Sequence, residues 1–143
     1  MTQLIKITAY ITRKCDGQPQ LLVFEEQGYE HLGFQVPGGT VMSGEHLEAA
    51  LRREIAEECS VVTVAAVRRL GAHSYDLENR CQRVERHYYQ VTTGQCPDAF
   101  THVVTSEDED NGWIYHYQWI PLNQREWPNL YGHLGHFLRS LEL

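Results

Sequence analysis

Three carboxylates, Glu54, Glu57 and Glu58, stand at i, i+3 and i+4 in the run Arg53-Glu54-Ile55-Ala56-Glu57-Glu58. At about 100° per residue they fall within roughly a third of a helix circumference. Leu47, Ala50, Leu51 and Ile55 fall on the overlapping or adjoining sector, so the acids border the face that must be buried. Like charges at this spacing repel, and partial burial adds a desolvation cost, so without a counter-charge such acids tend to stay protonated. A cluster of hard oxygen donors suits Mg²⁺ or Mn²⁺. Most helical charge runs are solvated faces, but position argues against that here. Punctuation starts the helix near Ser43 and ends it near Ser60, so the three acids lie in its C-terminal half, where the helix dipole disfavours negative charge. Glu45 and Glu48 sit in the favourable first turn and need no such reason.

The same acids belong to a longer pattern. Gly39 is followed after five residues by Glu45, after seven more by Arg53-Glu54, then by Ile55, Glu57-Glu58, Ser60 and Val61. This twenty-three-residue stretch resembles the Nudix box of the Nudix hydrolases. Ser60 is the one departure, standing where the family has a Gly that ends the helix in a left-handed conformation, at a cost to Ser of about 1 kcal/mol. The resemblance implies hydrolysis of a phosphoanhydride in a nucleoside diphosphate linked to another moiety. It also implies Mg²⁺, or Mn²⁺, held by Glu54, Glu57, Glu58 and the Gly39 carbonyl, with Glu54 a candidate general base. Arg53 and Glu45 are about two helical turns apart, within reach of each other, and the resemblance gives them an orienting role. In several resembled enzymes a carboxylate also enters from a later loop, and in the acidic segment Glu107-Asp108-Glu109-Asp110 the candidate ligand is Glu107. A solvated loop is the competing reading of that segment. A catalytically silent nucleotide-binding sensor is the alternative function, although such proteins normally lose one or more box acids and this chain keeps all of them.

Composition bounds the setting. At 143 residues, with 42% hydrophobic and 22% charged side chains, the chain reads as one globular domain over residues 1–143. A net charge of −7 argues against long nucleic acid as a partner but not against a small nucleotide, since cations bridge acid to acid. No apolar run is long enough for a membrane span, the N-terminus alternates rather than forming a signal-peptide core, and a cytoplasmic location is the expectation. Cys15, Cys59, Cys81 and Cys96 show no Cys-x-x-Cys pairing, and a zinc site from Cys81, His87, Cys96 and His102 fits no ligand spacing. Homodimers are common in the resembled family.

Around the box, periodicity predicts a strand over Ile5–Ile11, a turn at Asp16-Gly17, and a returning strand over Leu21–Phe24. Val61–Val67 and Leu70–Tyr75 read as two strand segments, Arg83–Thr92 as another, and Trp113–Ile120 as a strand ended by Pro121. A final helix is predicted over Tyr131–Leu141, with Leu134, Phe137, Leu138 and Leu141 on one side. Strands around one central helix, with a second helix at the end, suit an α/β fold with a mixed sheet between helices, and the resemblance implies the Nudix-type alpha/beta/alpha sandwich. Trp113, Tyr115, Tyr117 and Trp119 share one strand face, for which core packing outweighs a base-stacking platform. Arg52, Arg68, Arg69, Arg83 and Arg86 are candidate phosphate contacts that the sequence does not separate.

Overall fold

The computed structural model describes residues 2–77 and 81–143. Strand β1 (Thr2–Cys15) turns at Asp16-Gly17 into β2 (Gln18–Glu26). Both turn residues take positive φ, 52° and 78°, as a two-residue hairpin connection requires. β1 then changes partner along its length. Thr12–Cys15 pair with β2, whereas Lys6–Thr8 pair with the short β3 (Gly38–Thr40). The opposite edge of β1 runs parallel to β5 (Gln82–Thr93), which pairs antiparallel with β4 (Val64–Leu77). β2 continues to β7 (Ile114–Pro121) and β7 to β6 (Ala99–Val103). The result is a mixed sheet in the order β4-β5-β1-β2-β7-β6, with β3 beside β1. β2 and β3 share one edge of β1, and an antiparallel bridge between Phe24 and Gln35 ties β2 to the segment that leads into β3.

Alternation along β1 divides the core in two. Ile7, Ala9 and Ile11 face helix α1 (Leu47–Glu58) and meet Ala50, Leu51 and Ile55 there. Tyr10 faces the other way and joins Leu21, Val23 and Tyr88 beneath Leu130, Leu138 and Leu141. No helix among the described residues is long and apolar enough to cross a membrane.

Three local expectations are corrected, and the helix exit at Ser60 is resolved. The helix begins at Leu47 rather than near Ser43, because Met42–Glu45 form a turn in which Glu45 N–H donates to the Met42 carbonyl at 3.0 Å and Gly44 takes φ +77°. Glu45 therefore precedes the helix instead of lying in its first turn. The two segments expected over Val61–Val67 and Leu70–Tyr75 form one strand, β4, whose register shifts between Val64 and Ala66 and between Arg69 and Gly71 absorb the break in periodicity. The expected helix over Tyr131–Leu141 is a chain of i→i−3 turns with a single 3₁₀ segment at Leu138–Ser140. There the Tyr10 and Tyr88 hydroxyls donate to the Leu134 and His133 carbonyls, and Phe137 N–H donates to Tyr10, so tertiary bonds replace helical ones. Leu138 and Leu141 are nevertheless buried, as their spacing implied. Finally, Ser60 does not take the left-handed conformation, since the only non-glycine residues of positive φ among those described are Asp16 and Cys81. The helix leaves instead through Cys59 (φ −154°), whose carbonyl accepts the Val62 N–H at 3.0 Å.

Candidate functional site

Burial is what distinguishes the box acids from a surface run. Glu54 and Glu58 are only 5% and 3% exposed, although both are carboxylates. Desolvation is the main cause that raises both carboxyls above their ordinary range, Glu58 further than Glu54, and the two acids hydrogen-bond to each other. Arg53 lies beside Glu54 and opposes the rise there. The Gly38 N–H donates to Glu58 Oε2 at 3.3 Å. Gly39 presses equally close: a Cβ on it would stand 2.3 Å from Glu54 Oε1, and one on Gly38 would stand 2.3 Å from the Ile7 carbonyl oxygen. Gly39 thus lets the β3 backbone approach Glu54, and Gly38 lets it approach β1, as no other residues would.

Arg53 ties helix to loop. Its Nε and one terminal nitrogen donate to the two oxygens of Glu45 at 2.8 and 3.0 Å. The other terminal nitrogen donates to Glu54 Oε1 at 2.9 Å and to Glu57 Oε2 at 3.2 Å, and the Thr40 carbonyl accepts a further bond at 3.0 Å. Glu45 in turn accepts the Met42 N–H at 3.0 Å. The Arg53 bond first, and the Met42 N–H second, pull the Glu45 carboxyl down to about 2. Arg53 and Glu45, which the sequence places within reach of each other, are thus in direct contact.

The helix C-terminus needs compensation for its crowded acids, and residues far away in sequence supply it. Tyr117 Oη donates to the Glu58 carbonyl at 3.0 Å, Thr105 N–H donates to the Glu57 carbonyl at 3.1 Å, and His102 Nε2 lies 2.7 Å from that same carbonyl. Sequence reasoning missed these three, because their partners are 45 to 59 residues away and no spacing rule links them.

Glu54 and Glu58 line a cavity of about 860 Å³, together with Gly38 and Gly39. Glu57 lies outside its lining, held by Arg53. Of the acidic loop, Asp108, Glu109 and Asp110 reach the cavity, whereas Glu107 is exposed and not part of the lining. Asp110 is the loop acid whose charge raises both Glu57 and Glu58, after desolvation. Among the described residues no three His, Cys, Asp or Glu side chains already converge as a metal cage. The donor chemistry nonetheless fits a hard divalent cation: two buried carboxyls that burial drives toward the neutral form, beside a glycine backbone, are hard oxygen donors that a cation's charge would favour in the ionised form.

The other candidates separate clearly. Arg52 pairs with Glu48, Arg83 with Asp76, Arg68 reaches the Ser140 carbonyl, and Arg69 reaches Tyr89. Of the five arginines proposed for phosphate contacts, Arg86 alone lines the cavity. Tyr115 and Tyr117 are buried, Tyr115 stacking on Phe24 at 3.9 Å, and Trp119 lies under Arg13, so packing accounts for most of that aromatic face. Trp113 is 45% exposed at the cavity.

A mixed sheet carrying one helix whose acids meet a Gly-Gly strand defines an α/β fold of the Nudix type. The NUDIX domain family model matches residues 5–140, and the chain belongs to that family, the Nudix pyrophosphohydrolases. The fold is similar to that of a MutT NUDIX hydrolase from Burkholderia pseudomallei, at 19% identity, TM-score 0.66 and 98% coverage of both chains. It is also similar to the NUDIX domain of Shewanella oneidensis NrtR, solved in complex with ADP ribose, at 18% identity and TM-score 0.68, covering 98% of this chain and 87% of that one. No match was found among the curated proteins.

Proposed function

We propose that this chain hydrolyses a phosphoanhydride bond in a nucleoside diphosphate linked to another moiety, with Mg²⁺, or Mn²⁺, as its cofactor. The observation that carries the reading is the buried Glu54–Glu58 pair set against Gly38 and Gly39 in the wall of the cavity. Glu54, Glu57, Glu58 and the Gly39 carbonyl would hold the metal. When bound, it would neutralise charge on the anhydride oxygens and ease attack by water. Of the loop acids, Asp110 is better placed than Glu107 to join them. Arg53 fixes the Glu54 carboxylate through the 2.9 Å bond and, with Glu45, holds the 40–45 loop to the helix. Glu54, the more readily ionised of the buried pair, is the group to accept a proton from the attacking water.

A small nucleotide-type substrate agrees with the cavity's size, and the NrtR domain was captured with ADP ribose. That complex also supports the alternative, a silent domain that binds nucleotide without cleaving it. Retention of every box acid favours the enzyme. Phosphate release from sugar nucleotides, ADP-ribose, dinucleoside polyphosphates and nucleoside triphosphates, with Mg²⁺ and with or without a coupling phosphatase, tests the proposal. Wild-type turnover that falls by several orders of magnitude in Glu58→Gln, with the fold intact, supports it. Tight nucleotide binding with no turnover of any compound establishes the sensor instead.

A further inference from the structure

Arg86 is held in an unusual way for a part-buried cation. Its Nη1 donates to Thr8 Oγ1 at 2.8 Å, and its Nε and Nη2 donate to the Tyr75 hydroxyl at 3.1 and 3.0 Å. Among the described residues no carboxylate pairs with it, whereas Arg13, Arg52, Arg53, Arg68 and Arg83 each have one. Hydroxyls fix a guanidinium without neutralising it, so this half-buried cation keeps its full charge for an incoming anion. Three of the five N–H groups are used. The remaining two, one on each terminal nitrogen, form a fork suited to an oxyanion.

The sheet register places this fork. Arg86 pairs with Lys6 on one side and His73 on the other, and Lys6 pairs with Thr40. Residues paired in this way point to one face. Ile7, the neighbour of Lys6, faces helix α1, so Arg86 lies on the face of the sheet away from the box carboxylates. Both nevertheless line a single cavity, which Lys6, Gly38, Gly39 and Thr40 border as well. His133 also lines the cavity, and its imidazole is held below the ordinary range by burial and then by the charge of Arg86.

We propose that Arg86, clamped by Tyr75 and Thr8, is an anion seat that selects substrates carrying a charged phosphoryl group beyond the anhydride handled at the carboxylates. This selection, resting on the hydrolase reading above, favours a nucleoside triphosphate over a nucleoside diphosphate that ends in a neutral sugar.

Two measurements test the seat separately from catalysis. In chelator, inorganic pyrophosphate is titrated calorimetrically into wild type, Arg86→Gln, Arg86→Lys and Tyr75→Phe, each checked for folding by circular dichroism. Binding to wild type, weakened by about tenfold or more in Arg86→Gln and less in Arg86→Lys and Tyr75→Phe, is the expected result. Equal binding in Arg86→Gln, or none in wild type, overturns the proposal. With Mg²⁺, the ratio of kcat/KM for a nucleoside triphosphate to that for ADP-ribose should exceed one in wild type and fall by about tenfold in Arg86→Gln, mainly through KM. A wild-type ratio below one, or an unchanged ratio in the variant, also overturns it. Wild type inactive on every compound refutes the hydrolase reading alone, and the chelator titration then decides the seat.

Discussion

The Arg53–Glu45 pair can be weighed quantitatively. Their side chains are 21% and 16% exposed, between the limits at which ion pairs contribute least and most. Exposed pairs contribute about 0.2–1 kcal/mol, and breaking a fully buried one costs about 3–5 kcal/mol. Two parallel bonds at 2.8 and 3.0 Å at this burial correspond to a coupling of about 1.5–2 kcal/mol. Arg53→Met also removes the bonds to Glu54, Glu57 and the Thr40 carbonyl, so its total cost should reach about 2–3 kcal/mol. For a chain of 143 residues, 1 kcal/mol moves Tm by about 3 °C. Thermal unfolding by circular dichroism should therefore fall by about 6–9 °C in Arg53→Met and about 3–6 °C in Glu45→Gln. The cycle completed by the double variant should return the coupling. The pH dependence has a definite sign. Glu45 is depressed from 4.5 to about 2, so its contribution is complete above the ordinary value and is lost as pH falls toward 2. Wild type and Glu45→Gln should converge in stability at the acid end. A coupling below about 0.5 kcal/mol, or a wild-type advantage that persists at pH 2, would refute the reasoning and reduce the pair to a surface contact.

Four further outcomes are expected. Gly39→Ala should displace the Glu54 carboxylate, since the new Cβ would meet Oε1 at 2.3 Å, and lower turnover by about tenfold or more; wild-type turnover in that variant would deny the close approach a role. Tyr117→Phe should leave the buried Glu58 carbonyl unpaired and cost about 1–2 kcal/mol, read as a Tm loss of about 3–6 °C. Excess Mg²⁺ should raise the wild-type Tm, by about 2.7 kcal/mol in stability at a hundredfold excess over Kd, and by clearly less in Glu57→Gln, whose Tm in chelator should hold or rise; an equal gain in both proteins would count against the metal site. His73 and His133, packed with His136 and Tyr75 and near Arg86, are held below their ordinary value of 6.5, mainly by burial. The unfolded chain takes up protons first as pH falls through 6.5, so this region should lose stability there, and His73→Asn should flatten that part of the pH–Tm curve.

The residues of the candidate site were legible because they are local. Glu54, Glu57 and Glu58 share a helical edge, and Arg53 reaches Glu45 eight residues away, so a 3.6-residue period and side-chain lengths determine their neighbourhood whatever else the chain does. The strands over Ile5–Ile11 and Trp113–Ile120, and the hairpin turn at Asp16-Gly17, were legible for the same reason, since alternation and turn chemistry act over a few residues. The helix start was less so, because the turn that displaced it from Ser43 to Leu47 depends on Glu45 being drawn to Arg53.

Tertiary structure decided what local rules cannot reach. The final segment carries a helical pattern, yet hydroxyls of Tyr10 and Tyr88, more than forty residues away, take its backbone groups and hold it as turns. Arg86 became distinct from four other arginines only when β1, β4 and β5 brought Thr8 and Tyr75 to its guanidinium and the fold placed it in the cavity wall. Glu107 and Asp110 are indistinguishable as letters in an acidic run, and only the loop's path puts one at the cavity and leaves the other in solvent. The physical division is one of range: the sequence by itself determines which groups share a helix edge or a strand face, whereas desolvation, which raises the Glu58 carboxyl, and the hydroxyl clamp on Arg86 are properties of the whole packed fold.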